Sequence, residues 1–562
     1  MLGAMRRTLV LLLAATALVG CGGARRFPAK DPTWRDTDLD PVSIACEKRP
    51  NEKEPNHVSC APEPYISPLV WDGADNIFFR PVAKIFAVDP PQEARNVNSF
   101  DEVPDSAWFT NRIGKAKPPP DELLRGACKP SDMLDDAKAS PETWVIDQGK
   151  PNGASPGFRM KIDGKKKYMF KTDSKTQPER PSAASAIGAA IYHAVGFHTS
   201  CEQIVYVRRD ALHLTPGLRF TANTGVTKDF DTKALDKVFE EAAPRGELFR
   251  FQASAWLPGY LLGPFKYERT RSDDPNDIIP HEDRRDLRGA RVLAAWLNHF
   301  DAREQNSMDS WIANNTKVPD SSPGFVRHYY LDTSDVFGSE WDYDAISRRL
   351  GHSYLLDWGD IGLDFITLGS LVRPWEREKK GPPGTEMFGY FHWREFEPDD
   401  WKNEYPNPSF SRATEHDNAW MARILSRFDY TDIKALVGLG RFTNQDTADY
   451  LSLVLEMRLR KIVERYLLNL SPISDLRVDG DTLCATDLAR RRTARPDAEF
   501  RYAASANGAP LSVETKADGQ ICMHLPRTGD YTVVSITNGA SKGRLDAHFS
   551  GGKLVGIQRP NP

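Results

Sequence analysis

Beyond its first two dozen positions the 562-residue chain has no apolar run of about eighteen residues, so no later segment is long enough to span a bilayer as a helix. It has no C-x-x-C pair and no H-E-x-x-H, which removes the usual dedicated zinc signatures. Net charge is small, at −4, and there is no long basic stripe, so the composition gives no support for nucleic acid as a partner. Cysteine is scarce, with seven residues in the whole chain. At this length two or three domains are expected.

What is present begins with an address. Met5-Arg6-Arg7 precede an apolar run over residues 9–18, too short for a permanent membrane helix and typical of a bacterial secretory signal. It ends in Leu18-Val19-Gly20-Cys21, which resembles the lipobox of bacterial lipoproteins, where the Cys thiol receives the lipid. Gly22, rather than Asp, follows the Cys, as in lipoproteins sent to the outer membrane. Residues 1–21 are therefore expected to be a signal peptide with its lipobox. Cys21 is the expected lipidation site, and the membrane is a partner through that lipid, with the mature chain anchored in the cell envelope. Six cysteines remain, an even number that permits disulfides in an exported chain. Cys46 with Cys60 would close a short N-terminal loop, and Cys484 with Cys522 would tie C-terminal strands.

Along the chain, residues 22–95 are rich in Pro, Asp, Glu and Asn and read as a tether, with Trp71, Phe78 and Phe79 suggesting that its end docks. Residues 96–210 hold short strands at 144–146, 158–162 and 168–171, a small-residue helix at 182–195 and a strand at 203–207. From 211 to 472 helical periodicity dominates, including 283–298 and 447–468. Residues 473–562 show short alternating runs such as 531–536, the pattern of a small β-sandwich-like module. The fold class expected is α+β.

His299-Phe300-Asp301 followed by Asn306 spells H-x-D-x-x-x-x-N, the catalytic-loop signature of the protein-kinase fold. In that chemistry the Asp orients or deprotonates the attacking hydroxyl, and the Asn reaches a Mg²⁺ on the nucleotide phosphates. Arg303 matches a basic residue that neutralises charge on the transferring group. Upstream, the glycine-bearing hairpin 149–158, with Gly153 and Gly157, is placed to bring backbone N–H groups to phosphate oxygens, although it is not a G-x-G-x-x-G. Lys171 ends a strand where a phosphate-pairing lysine would stand. The helix after it contains no acid, and Glu179 just before it is the nearest carboxylate in sequence. Downstream, the β-prone stretch 325–331 delivers Asp332 as the second metal ligand, with Asp335 as a rival, across an extended hairpin spanning 311–326. The charge-dense segment 269–285 reads as a solvated loop in preference to a substrate-facing one, and 375–408 as a packing segment.

The segments 96–109, 153–158, Gly263-Pro264-Phe265, 270–277 and 296–301 resemble those of a family of bacterial secreted proteins distantly similar to atypical kinases of the HipA and spore-coat CotH type. The resemblance runs from about residue 96 to 470. It implies a two-lobed kinase-like domain over 96–210 and 211–472, with Mg²⁺ and ATP as cofactors and Asp301, Asn306 and Asp332 in the metal and phosphoryl-transfer roles. The acceptor, whether protein, lipid or glycan, is not implied. Two departures stand out: the family carries an acid near Ser185, and it reads Asp-Phe-Gly where this chain has Asp332-Thr333-Ser334. The expectation is an envelope-anchored atypical kinase; the alternative is a pseudokinase or structural envelope lipoprotein that binds a partner without catalysis.

Overall fold

In the segment 144–172 large apolar residues alternate with polar ones, the period that puts one face of a strand against a core. Three strands result, β1 (Trp144–Gly149), β2 (Gly157–Ile162) and β3 (Lys166–Thr172), paired antiparallel, with Phe158 opposite Phe170. The chain then forms α1 (Arg180–Val195), β4 (Glu202–Val207), α2 (Thr232–Glu241) and β5 (Leu248–Ala255). Strand β5 enters the sheet between β3 and β4, giving the lateral order β1-β2-β3-β5-β4, with short strands added beside β1 and at one end of β5. One face of this sheet closes a core of Trp144, Phe158, Phe170 and Phe251 against Leu235, Val238 and Phe239 of α2. The sheet therefore extends to Ala255, and the boundary expected at residue 210 cuts through it. Its strand β5 lies beyond a polar excursion that masked the return to alternation.

The computed structural model describes residues 34–49, 57–65, 69–86, 92–150, 155–173, 175, 177–221, 226–317, 322–338, 351–377, 379–516, 518–526 and 529–562. The signal run, Cys21 and Gly153 lie outside these residues. Among those described, no helix is long and apolar enough to cross a membrane.

The small residues of α1 are a packing device. Nearly every position is buried, and a Cβ at Gly188 would stand 2.8 Å from Thr333, so the helix is pressed against the turn that follows Asp332. A second sheet carries that turn: β6 (Tyr260–Gly263), β7 (Ser307–Ala313) and β8 (Gly324–Tyr330) are antiparallel, and His198–Thr199 pairs parallel with β8. Helices α3 (Arg285–Leu297), α4 (Glu415–Leu425), α5 (Tyr430–Gly438) and α6 (Gln445–Ile462) bury Trp296, Trp420, Leu436 and Leu455 with α1 in the largest core. Phe388, Phe391, Phe396 and Trp401 join it, in line with the packing reading of 375–408.

Residues expected to form a free tether are in fact built into the body. Arg284 holds the buried Asp36 and Asp38 at 2.6 and 3.3 Å, Val42 bridges Gly324, and the Tyr65 N–H donates to the Leu262 carbonyl. The acids look like surface charges in sequence, yet they neutralise a guanidinium 248 and 246 residues away. By contrast Trp71, Phe78 and Phe79, read as the docking point, are at least half exposed or close to it. The 269–285 segment is bonded in place as well: Asp277 accepts from His281 at 2.7 Å, and Arg271 reaches Asp309 at 3.1 Å.

Residues 473–558 form two antiparallel sheets, of four and five strands, around Ile473, Leu483, Ile521, Val534, Leu545 and Phe549. They are knitted to the helices rather than free of them, since Leu488, Ala489 and Phe500 belong to the helical core and buried Arg559 pairs with Asp101. Cys46–Cys60 and Cys484–Cys522 are bridged as expected. A third disulfide, Cys128–Cys201, joins residues 73 apart, a separation that carries no signal in the sequence.

Candidate functional site

Helix α3 stops because Asn298 turns left-handed (φ 55°), a conformation Asn tolerates better than most residues, and its N–H still returns to the helix carbonyls. The next residue, His299, is fully buried with Nδ1 2.7 Å from the Tyr192 hydroxyl. Burial pushes its pKa down to about 4, so the imidazole is neutral near pH 7 and pins the loop to α1. Asp301 then emerges. The Asn306 amide donates to its Oδ2 at 2.7 Å and to its main-chain carbonyl at 2.8 Å, closing the loop on itself. Arg303 Nε lies 2.7 Å from Asp301 Oδ1 without hydrogen-bond alignment, and its fork also reaches Glu404 at 3.1 Å and the Tyr405 hydroxyl at 3.2 Å. Burial raises the Asp301 pKa well above the carboxylate range; Arg303 opposes the rise, and Asp335 and Glu404 add to it. Arg303 is thus committed to carboxylates of the protein itself.

The pairing register carries Asn306 toward Asp332. Ser307 opposes Tyr330 at the open end of the β7–β8 hairpin, and the Leu331 N–H donates to the Asn306 carbonyl at 2.9 Å, leaving Asp332 one residue further on. Asp332 is left-handed (φ 48°), which ends the strand and starts the turn Thr333–Asp335. Thr333 Oγ1 donates to the main-chain carbonyl of Ser185, which is fully buried, so the turn is bonded directly to α1.

Lys171 reaches across from the first sheet: its Nζ donates to Asp332 Oδ2 at 2.9 Å, and Ser334 Oγ donates to Oδ1 at 2.6 Å. Burial opposes ionisation of Asp332, but Lys171 and Ser334 outweigh it and hold the carboxyl below the usual range. Burial likewise opposes the charge on Lys171, and Asp332 overcomes it, so its pKa is raised. Glu179 is not its partner; its carboxylate accepts from the Thr443 N–H at 3.0 Å, in a different direction. The carboxylate that serves Lys171 is Asp332 itself, 161 residues on.

Gly157 has a structural reason to be glycine, because a Cβ there would lie 2.1 Å from the Phe170 carbonyl oxygen. One residue escaped the sequence reading. Lys150, flanked by Gly149 and Pro151 in the glycine hairpin, donates to the Ser155 carbonyl at 2.6 Å, and burial first, then Lys171, lowers its pKa to about 8, against the pull of Asp332. Its place inside the hairpin already quoted for phosphate contact was the available signal.

Asn306, Asp332 and Asp335 offer oxygen donors of the kind a hard divalent cation takes. Asn306 has its NH₂ engaged and keeps a carbonyl oxygen, while the Asp335 carboxyl is pushed up, by burial first and with the charge of Asp332 adding to the rise. No group of three or more His, Cys, Asp or Glu arranged for a metal lies among the described residues, so the protein supplies no complete cage of that kind. A Mg²⁺ site of two or three protein oxygens completed by phosphates and water needs none. No family model matches this sequence, and no curated protein matches it.

Proposed function

We propose that this chain is a lipid-anchored envelope protein whose kinase-like cleft binds ATP with Mg²⁺ and transfers the γ-phosphoryl group to a hydroxyl acceptor. The observation that carries the reading is the linked set Lys171–Asp332 and Asn306–Asp301, two side-chain pairs from separate sheets and loops joined through the Leu331–Asn306 backbone bond. Lys171, Asp332, Asn306 and Asp301 are residues of the types the chemistry requires, and the Lys171–Asp332 pairing has no local cause in the chain. The chain order β-β-β-α-β before the loop adds support.

In this reading Lys171 and Lys150 hold phosphate oxygens, with Asn306 and Asp332 as the metal-holding residues. Mg²⁺, when bound, neutralises charge on the phosphates. Asp301 receives the proton of the acceptor hydroxyl as its oxygen bonds to phosphorus and ADP leaves. Arg303 orients Asp301 and lowers the cost of its charge.

A second reading, a nucleotide-binding protein without catalysis, is favoured by one feature: Asp332 spends both oxygens on Lys171 and Ser334, so metal binding must compete with an existing ion pair. Incubation with γ-labelled ATP and Mg²⁺ separates the two. Phosphoryl transfer to the chain or to an envelope fraction, abolished in Asp301→Ala with ATP binding retained, supports the enzyme; equal transfer by that variant overturns the assignment of Asp301.

A further inference from the structure

The helix Trp358–Thr367 breaks the ordinary rule for a surface helix. None of its residues is buried, although most are apolar or glycine. Helical spacing puts Trp358, Ile361 and Phe365 on one face, and Phe365, Ile366 and Leu368 are 81, 79 and 90% exposed. The face continues onto the helical segment 69–86. Trp358 Nε1 donates to the Ile77 carbonyl at 3.3 Å, the Trp358 and Phe78 rings are 6.0 Å apart, and Phe78 and Trp71 each lie 5.6 Å from Phe79. Monomeric proteins seldom leave so much joined apolar surface in water without a use for it.

We infer that this two-helix face docks on the lipid bilayer to which Cys21 tethers the chain; the inference rests on the anchoring half of the reading above. Reach is the first argument. Trp34, where the described body begins, lies only 13 positions after Cys21, a span of no more than roughly 45 Å fully extended. A body held that close cannot keep all its faces away from the membrane. Composition is the second: Trp, Phe, Ile and Leu on helices lying along a surface are what inserts into the boundary between headgroups and acyl chains. Position is the third. Asp72, on the same segment as Trp71, accepts from the Tyr405 hydroxyl at 3.3 Å, and that hydroxyl contacts Arg303 beside Asp301. Docking on this face brings the Asp301 loop to the membrane, where an acceptor fixed in the envelope would be met.

The test uses the purified full chain reconstituted on vesicles of phosphatidylethanolamine and phosphatidylglycerol, with or without brominated acyl chains, and reads tryptophan fluorescence. The expected result is quenching by brominated lipid, mostly lost in Trp71→Tyr with Trp358→Tyr, and also lost in Phe365→Asp with Ile366→Asp at unchanged unfolding temperature. A chain that floats with the vesicles yet is not quenched overturns the docking face. ATP-dependent stabilisation, read on the same sample, shows whether the cleft reading survives that failure. A chain that neither floats nor is quenched overturns anchor and face together. Patch-dependent dimers sedimenting without vesicles overturn the proposal in favour of a second copy as the occupant.

Discussion

Asp332 holds a left-handed backbone, accepts from Lys171 and Ser334, and borders a second carboxylate at Asp335. Ser334 and Asp335 stand in or beside the string Asp332-Thr333-Ser334, but Lys171 comes from another sheet, 161 residues away. The closeness of Asp301 and Asn306 was legible because their spacing is local; the partner of Lys171 was not, because the pairing is tertiary. Replacing Lys171 by Met leaves a carboxylate without its cation. Because Asp332 remains about one-third exposed, the expected loss is modest, about 1–2 kcal/mol by urea unfolding, below the range for fully buried pairs. A loss indistinguishable from zero would show that the ion pair does not form in solution. In the transfer assay Asp301→Asn is expected to lower the rate by roughly 10²–10⁴, the usual worth of a positioned base.

At the scale of elements, α1 and the turn after Asp332 were shaped together. The alanines and Gly188 that look like weak helix patterning let the turn approach, and Thr333 bonds the main chain of α1 at Ser185. Gly188→Leu is therefore expected to cost about 1–3 kcal/mol as overpacking, and also to weaken ATP binding by displacing Asp332; calorimetry and nucleotide titration on one sample check both. Strands β1 to β3 were legible from alternation, whereas β5 was hidden behind a long polar excursion and the third disulfide behind its spacing. Cys128–Cys201 ties the segment before the first sheet to the start of β4, so Cys128→Ser with Cys201→Ser is expected to lose about 2–5 kcal/mol of stability. An unchanged unfolding midpoint under non-reducing conditions would contradict that role.

For the whole molecule, the extension is the largest departure from the sequence reading. Buried Asp36 and Asp38 bind Arg284 just before α3, so the N-terminal segment closes the body that carries the loop from His299 to Asn306. The fall of stability in acid follows from His299, which is fully buried, and from His193 and His198, which are partly buried. Burial lowers His193 to about 3 and His299 to about 4, and His198 falls well below its ordinary value. Above about pH 6.5 neither state is protonated at these sites and the contribution is fully present. As pH falls from 6.5 toward 4 the unfolded chain takes up protons that the folded chain refuses, so stability falls. His299 alone accounts for about 3 kcal/mol of that loss. His299→Asn is expected to flatten this limb in a pH series of thermal unfolding, and an unaltered slope would contradict a neutral buried imidazole.

The most direct measurement on the central claim is thermal unfolding of the full chain with ATP, with and without Mg²⁺, beside Lys171→Met. A ligand that binds only the folded state stabilises it by mass action, about 2.7 kcal/mol at a hundredfold excess over Kd. The cleft reading predicts a rise in midpoint with ATP, a larger rise with Mg²⁺, and the loss of both in Lys171→Met. No shift at nucleotide concentrations well above a millimolar Kd would contradict it.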